Sequence, residues 1–113
     1  MYASGVLFMH MELIETAVFT RLVQATLSDE QYRQLQLYLM LRPDAGDLIP
    51  GSGGLRKVRW QLSGRGKRGG ARVIYYWKAA AGQIFLLFLY PKNVRSDLTP
   101  AELRTLRKLI ADD

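Results

Sequence analysis

Leu55-Arg-Lys-Val-Arg-Trp-Gln-Leu62, Ala71-Arg-Val-Ile-Tyr-Tyr-Trp77 and Gln83-Ile-Phe-Leu-Leu-Phe-Leu-Tyr90 follow one another with only glycine-bearing connections between them. Each run is rich in β-branched and aromatic residues and bounded by turn residues, with Ala80-Ala81-Gly82 as the second turn, so the three predict a β-meander. Side chains alternate across a strand. Lys57, Arg59 and Gln61 therefore oppose Val58, Trp60 and Leu62, and Arg72 and Tyr76 oppose Val73, Tyr75 and Trp77. The third strand is apolar on both faces and should be central or doubly covered, with Phe85, Leu87 and Leu89 opposite Ile84, Leu86 and Phe88. If Lys57, Arg59 and Arg72 share the open face, three cations meet over one sheet, which is costly without an anion.

Outward from the meander, Glu12 to Thr16 is short and weakly alternating, and predicts a first strand. Ala17 to Leu27 places Val18, Leu22 and Ala25 at helical spacing, with Phe19 and Val23 beside them. Ser28-Asp-Glu-Gln31 is a capping box, in which the hydroxyl accepts from the third helical N–H and Gln31 reaches back. The helix it opens, with Tyr32, Leu35 and Leu39 as its apolar set, should run to about Leu41 before Pro43 stops it. Asp44 to Gly54 holds four glycines and one proline and predicts a loop. Thr99-Pro-Ala-Glu102 is a second capping box, with Pro at the first helical position, opening a closing helix that carries Leu103, Leu106 and Ile110. The expected order is β-α-α-β-β-β-α, an α+β domain with helices packed on an antiparallel sheet core.

Charge is distributed unevenly over this frame. From Leu48 to Ser96 there are ten Lys/Arg residues and no Asp or Glu, and all ten acids of the chain lie outside that block. A net charge of +6 for 113 residues already favours an anionic partner, and the clustering favours it more, since a solvated surface usually mixes its signs. The length fits one domain, and 49% apolar residues fit a folded one. Met1 to His10 lacks the basic start and the length of a secretory signal, and Met9 and Met11 offer alternative starts. Residues 1–10 are thus expected to be an extension outside the fold, with the domain at 11–113. No apolar run is long enough to span a bilayer, Ile84 to Tyr90 being the longest, so no membrane partner is expected.

The residue types missing from the chain narrow its chemistry. With no cysteine, disulfides, thiolate nucleophiles and cysteine zinc sites are excluded, and a reducing cytoplasm fits. The single histidine, His10, stands in the patternless amino-terminal stretch, which removes Ser-His and paired-His catalysis. No metal or cofactor is expected, and any catalysis must use Lys, Arg, Tyr, Ser/Thr and the few carboxylates.

Gly64-Arg-Gly-Lys-Arg-Gly69 matches the spacing of a dinucleotide loop but joins two strands rather than a strand to a helix, and no acid follows to take a ribose. It also fails as a P-loop, because Gly66-Lys67 is followed by Arg. Its glycines would let backbone N–H groups approach phosphate oxygens, with Arg65, Lys67 and Arg68 supplying charge; the plain alternative is a solvated hairpin tip. Tyr75, Tyr76 and Trp77 belong by default to the core, and Tyr76, on the Arg72 face, is the one placed to stack a base. Lys92 follows the last strand near the same edge and is the fourth cation expected at the site.

Three blocks together, Gly53-Gly-Leu-Arg-Lys-Val-Arg59, Gly66-Lys-Arg-Gly-Gly-Ala-Arg-Val-Ile-Tyr-Tyr76, and Leu89-Tyr-Pro-Lys-Asn93 with Ser96-Asp-Leu-Thr99, resemble the HigB branch of the RelE-family toxins of bacterial toxin–antitoxin modules. The resemblance covers roughly Met11 to Ile110. It implies a RelE-like microbial ribonuclease fold in a bacterial cytoplasmic protein that cuts messenger RNA in the A site of the 70S ribosome, with a HigA-like antitoxin as partner. It places the family's catalytic basic positions on Lys57, Arg59, Arg72 and Lys92, and RNA or ribosome contacts on Lys67 and Arg68. Some relatives carry a catalytic tyrosine near the carboxyl terminus, whereas nothing after Tyr90 is aromatic here.

Ribonucleolysis without metal needs a base for the 2′-OH, a stabiliser for the phosphorane and an acid for the leaving 5′ oxygen. Clustered cations favour the neutral form of one lysine, so Lys57 or Lys92 is expected as the base, Arg72 as the ligand of the phosphorane oxygens and Arg59 as its assistant. Two other readings compete: a ParE-like gyrase inhibitor on the same fold, and a nucleic-acid-binding module without catalysis.

Overall fold

The computed structural model describes residues 11–61 and 70–111. Strand β1 (Glu12–Glu15) leads into α1 (Ala17–Thr26) and α2 (Asp29–Leu41); β2 (Asp47–Leu48), β3 (Leu55–Trp60), β4 (Ala71–Lys78) and β5 (Gln83–Pro91) follow, and α3 (Pro100–Ile110) closes the fold. The strands form one sheet in the order β1-β5-β4-β3-β2. All neighbours are antiparallel except β1, which lies parallel to β5 along the sheet edge. The α+β architecture is as expected. The predicted Asp44–Gly54 loop nevertheless contains a strand, the two-residue β2 paired with Arg56 and Lys57.

Both capping boxes form. Ser28 Oγ accepts from Gln31 N at 3.1 Å while Gln31 Oε1 accepts from Ser28 N at 2.8 Å. Thr99 Oγ1 and Glu102 make the same exchange at 3.1 and 2.9 Å. Helix α1 is capped by Thr16, whose hydroxyl accepts from Phe19 N and donates to Leu87 O on β5, tying the helix start to the sheet. Its buried stripe is Phe19 and Val23 rather than Val18 and Ala25, and Val18 is 41% exposed. The cap at Thr16 sets the rotation of the helix, so the phase of its apolar face follows from that hydrogen bond and not from spacing alone.

Two cores result. On one face of the sheet Phe19, Val23, Leu35 and Leu39 of the helices meet Val58, Val73, Tyr75, Ile84, Leu86 and Leu89. On the other, Leu106 and Ile110 of α3 meet Leu55, Ile74, Leu87 and Tyr90, with Phe85, Phe88 and Tyr76 beside them. Strand β5 is therefore doubly covered, but not with the strict alternation expected. Tyr75 pairs with Leu86 and Ile74 with Phe88, so Leu87 is an extra residue, a β-bulge. Past the bulge the faces exchange: Phe88 turns toward α3, Leu89 toward α1 and α2, and Tyr90 toward the α3 side.

Helix α3 packs against β5, and its core residues stop at Ile74 and Leu55. The cationic ends of β3 and β4 on that face remain beside it.

Candidate active site

Register does most of the assembly. Arg59 on β3 stands directly opposite Arg72 on β4, and Arg72 stands opposite Tyr90 on β5. Lys57 is one pleat further along β3, opposite Asp47 of β2. Beyond Pro91 the chain stays on the sheet, because Lys92 N donates to Gly70 O at 2.8 Å. Gly70 holds φ +53, and a side chain there would run into the Trp60 carbonyl, so the close return of β4 to β3 requires glycine. Lys57, Arg59, Arg72 and Lys92 line one cleft of about 320 Å³ together with Asp47 and Ser96. Arg72 is buried, only 7% exposed, whereas Arg59 is exposed and Lys57 half-buried.

Two arginines directly across a ladder repel. Two carboxylates moderate the cluster: Asp47 across from Lys57, and Asp97, whose Oδ1 lies 3.4 Å from Lys57 Nζ. These two acids are the ones that bracket the acid-free stretch, one residue outside each end. The fold brings both back onto it. Their sequence signal was their position at the boundary. Lys92 has no carboxylate partner among the described residues.

The loop that carries Lys92, Ser96 and Asp97 is held from behind. Arg95 stacks its guanidinium over the rings of Phe88 and Tyr90, at 5.2 and 4.9 Å from their centroids, and its Nη1 meets Glu102 Oε1 at 2.7 Å. The Arg95 hydrogen bond holds the Glu102 carboxyl below the ordinary range, and the same contact pushes Arg95 upward. Glu102 thereby joins two tasks, capping α3 and anchoring the site loop. Tyr90, which the bulge delivers to this side, is buried with its hydroxyl donating to Ser96 O at 3.4 Å. Burial pushes the phenol upward, Asp97 adds to this, and Arg72 and Arg95 oppose it.

The Asp47 side is fixed by β4 and β3. Tyr75 accepts from Gly46 N and donates to Pro43 O, both at 2.8 Å, and Arg56 Nη1 donates to Gly46 O at 2.7 Å and Asp44 O at 3.2 Å. Arg56, one of the ten cations of the stretch, thus serves the loop and faces away from the cleft. Gly46 is pressed on the Tyr75 ring, where a Cβ would lie 2.9 Å from Cε1.

Tyr76 does not reach the cleft. It lies on the Arg72 face as expected, but four residues further along β4, on the order of 13 Å away, packed on Phe85 with centroids 6.3 Å apart. Arg65, Lys67 and Arg68 lie outside the described residues. Among the described residues no three His, Cys, Asp or Glu side chains are grouped to hold a metal ion, and no helix is long and apolar enough to cross a membrane.

With this geometry in hand, two comparisons bear on the chain. The family model for the RelE toxin of the RelE/RelB toxin–antitoxin system matches residues 11–112. Among solved structures, the chain is similar to a double-arginine mutant of the E. coli toxin RelE in the free state, with a TM-score of 0.57 and 14% identity over 88% of this chain and 97% of that one. At that identity the likeness is one of fold.

Proposed function

The chain belongs to the RelE toxin family, toxins paired with an antitoxin, and from that premise we propose that it is an endoribonuclease that cuts translated messenger RNA in the ribosomal A site. The observation that carries this reading is the convergence of Lys57, Arg59, Arg72 and Lys92 on one cleft. A scissile phosphate seated there meets Arg72 from the floor and Arg59 from the rim. Lys92 accepts the 2′-OH proton as that oxygen attacks phosphorus. Arg72 and Arg59 hold the phosphorane oxygens, and the Lys57 ammonium, oriented by Asp97, protonates the leaving 5′ oxygen. The products are a 2′,3′-cyclic phosphate and a 5′-hydroxyl, with no metal in the scheme.

Two lysines are a weak acid–base pair, so the ribosome supplies the orientation that the side chains lack. Naked RNA should be cut poorly. The antitoxin, of HigA-like type, neutralises the toxin either by covering the basic face or by blocking its entry to the ribosome. Induction in a bacterium followed by primer extension on a translated messenger tests the reading. The parent should give discrete cuts, and Arg72→Ala should lower the cleavage rate about a hundredfold, the equivalent of about 3 kcal/mol for losing one charge stabiliser. Undiminished cleavage by Arg72→Ala would refute the assignment. Inhibition of purified gyrase with messenger left intact would refute the nuclease.

A further inference from the structure

A second cleft adjoins the first through one shared residue. Arg59 lines the cationic cleft and also a neighbouring one of about 380 Å³, whose other walls are Gln31, Gln34, Tyr38, Trp60 and Gln61. It lies where α2 passes the end of β3. Strand β2 pairs only with Arg56 and Lys57, so beyond Lys57 the outer edge of β3 has no strand neighbour among the described residues.

The chemistry of the lining is distinctive. Tyr38 and Trp60 form a tilted pair with centroids 5.5 Å apart, and Tyr38 is 39% exposed, leaving an aromatic surface open to the cleft. Trp60, packed against the α1 and α2 core, is only partly buried. Three primary amides stand around the pair, and carboxamides match the donor and acceptor pattern of base edges. Gln34 donates from Nε2 to Glu30 Oε2 at 3.1 Å, which orients the amide and leaves its oxygen to accept from a ligand. The walls hold one charge, Arg59, on the side of the phosphate-holding cleft.

From this arrangement we infer that the Tyr38–Trp60 cleft is a nucleobase subsite. It stacks one base of the bound RNA while Arg59 holds a phosphate of the same strand, and the Gln34 oxygen accepts from a donor on the edge of that base. Tyr76, too distant from the cleft, has no part in stacking. The inference rests on the RNA-cleaving reading for its biological role, but the subsite can be measured separately.

Two experiments decide it. The first maps cut sites on a translated messenger for the parent, Tyr38→Ala and Gln34→Leu, with folding checked by thermal melting. Tyr38→Ala should lower cleavage at the favoured sites about tenfold, in line with the loss of one base–aromatic stack. Gln34→Leu, on an exposed helix position, should flatten the preference among bases at the cut sites. An unchanged distribution of cuts in both variants overturns the subsite, as does loss only of antitoxin neutralisation, which would make the face a protein-docking surface. The second uses the full chain carrying Trp77→Phe, so that Trp60 is the sole tryptophan, titrated with a short oligoribonucleotide and with the same strand carrying abasic positions. Quenching by the intact strand alone supports the subsite; equal quenching by both, or by neither, overturns it. Should the parent cut no messenger, the nuclease reading falls while the fluorescence titration still judges the subsite.

Discussion

Replacing Tyr75 by Phe removes one oxygen and nothing else, and the structure fixes what that oxygen does. Tyr75 is fully buried, and its hydroxyl bridges the Gly46 N–H and the Pro43 carbonyl at 2.8 Å each, residues roughly thirty positions away in sequence. Without it the buried Gly46 N–H loses its partner, a desolvation penalty of about 1–3 kcal/mol, and the half-buried Pro43 carbonyl loses a bond of about 1 kcal/mol. The ring itself keeps its packing. The expected cost is about 2–4 kcal/mol, a large share of the 5–15 kcal/mol typical of a domain. Urea titration should show a lower midpoint with unchanged slope, and thermal melting a fall of about 10 °C for a domain of this size. Because the 43–46 loop delivers Asp47 beside Lys57, cleavage should also fall at temperatures where the variant is folded. A loss below about 0.5 kcal/mol would show that the hydroxyl bridge is not what holds the loop, and would refute the reasoning.

Gly46→Ala attacks the same contact from the opposite side: its Cβ would press on Tyr75 Cε1 at 2.9 Å and on the Lys57 backbone at 3.1 Å, so a loss of about 1–3 kcal/mol should appear in the same urea titration. Glu102 sits below its ordinary value of 4.5, so the stability it contributes is complete above pH 4.5 and is lost as pH falls through the folded value. Acid titration of Glu102→Gln should show a weaker pH dependence in that window. Tyr75 and Tyr90 are both raised above 10.0, which makes their contribution complete below pH 10 and lost as pH climbs beyond it. Alkaline unfolding should therefore begin above pH 10, and Tyr75→Phe should flatten that limb.

Much of this architecture was legible because local rules agreed. Ser28-x-x-Gln31 and Thr99-x-x-Glu102 announce helix starts by chemistry that needs no tertiary context. Alternation put Lys57 and Arg59 on one face of β3 and separated Arg72 from Val73 and Tyr75 on β4, since each strand mixes charged and apolar residues, and the register of the two strands then joins the three. Strand β5 offered no such contrast: Ile84 to Tyr90 is apolar throughout, so nothing in it marks Leu87 as the bulge or predicts that Tyr90 turns toward Arg72. Strand β2 is too short to leave a pattern. Asp47 and Asp97 were hidden for another reason, because fifty residues separate them and only the folded sheet brings both to Lys57. Val18 misled because helical spacing gives the period of a face and not its phase, which the Thr16 cap sets.

The bulge at Leu87 makes β5 two half-strands of opposite parity. Up to Leu86 the even positions face α1 and α2; after Leu87 the odd ones do. A substitution at an even position before Leu87 is therefore tested against one core, and a substitution at an even position after it against the other. Removing Leu87 would restore a single parity and rotate Tyr90 and the segment leading to Lys92 by half a turn, carrying the site loop away from Arg72 while leaving the pairing of β1 with β5 intact. One surplus leucine, in a run that looks uniform, sets which face of the sheet Tyr90 takes.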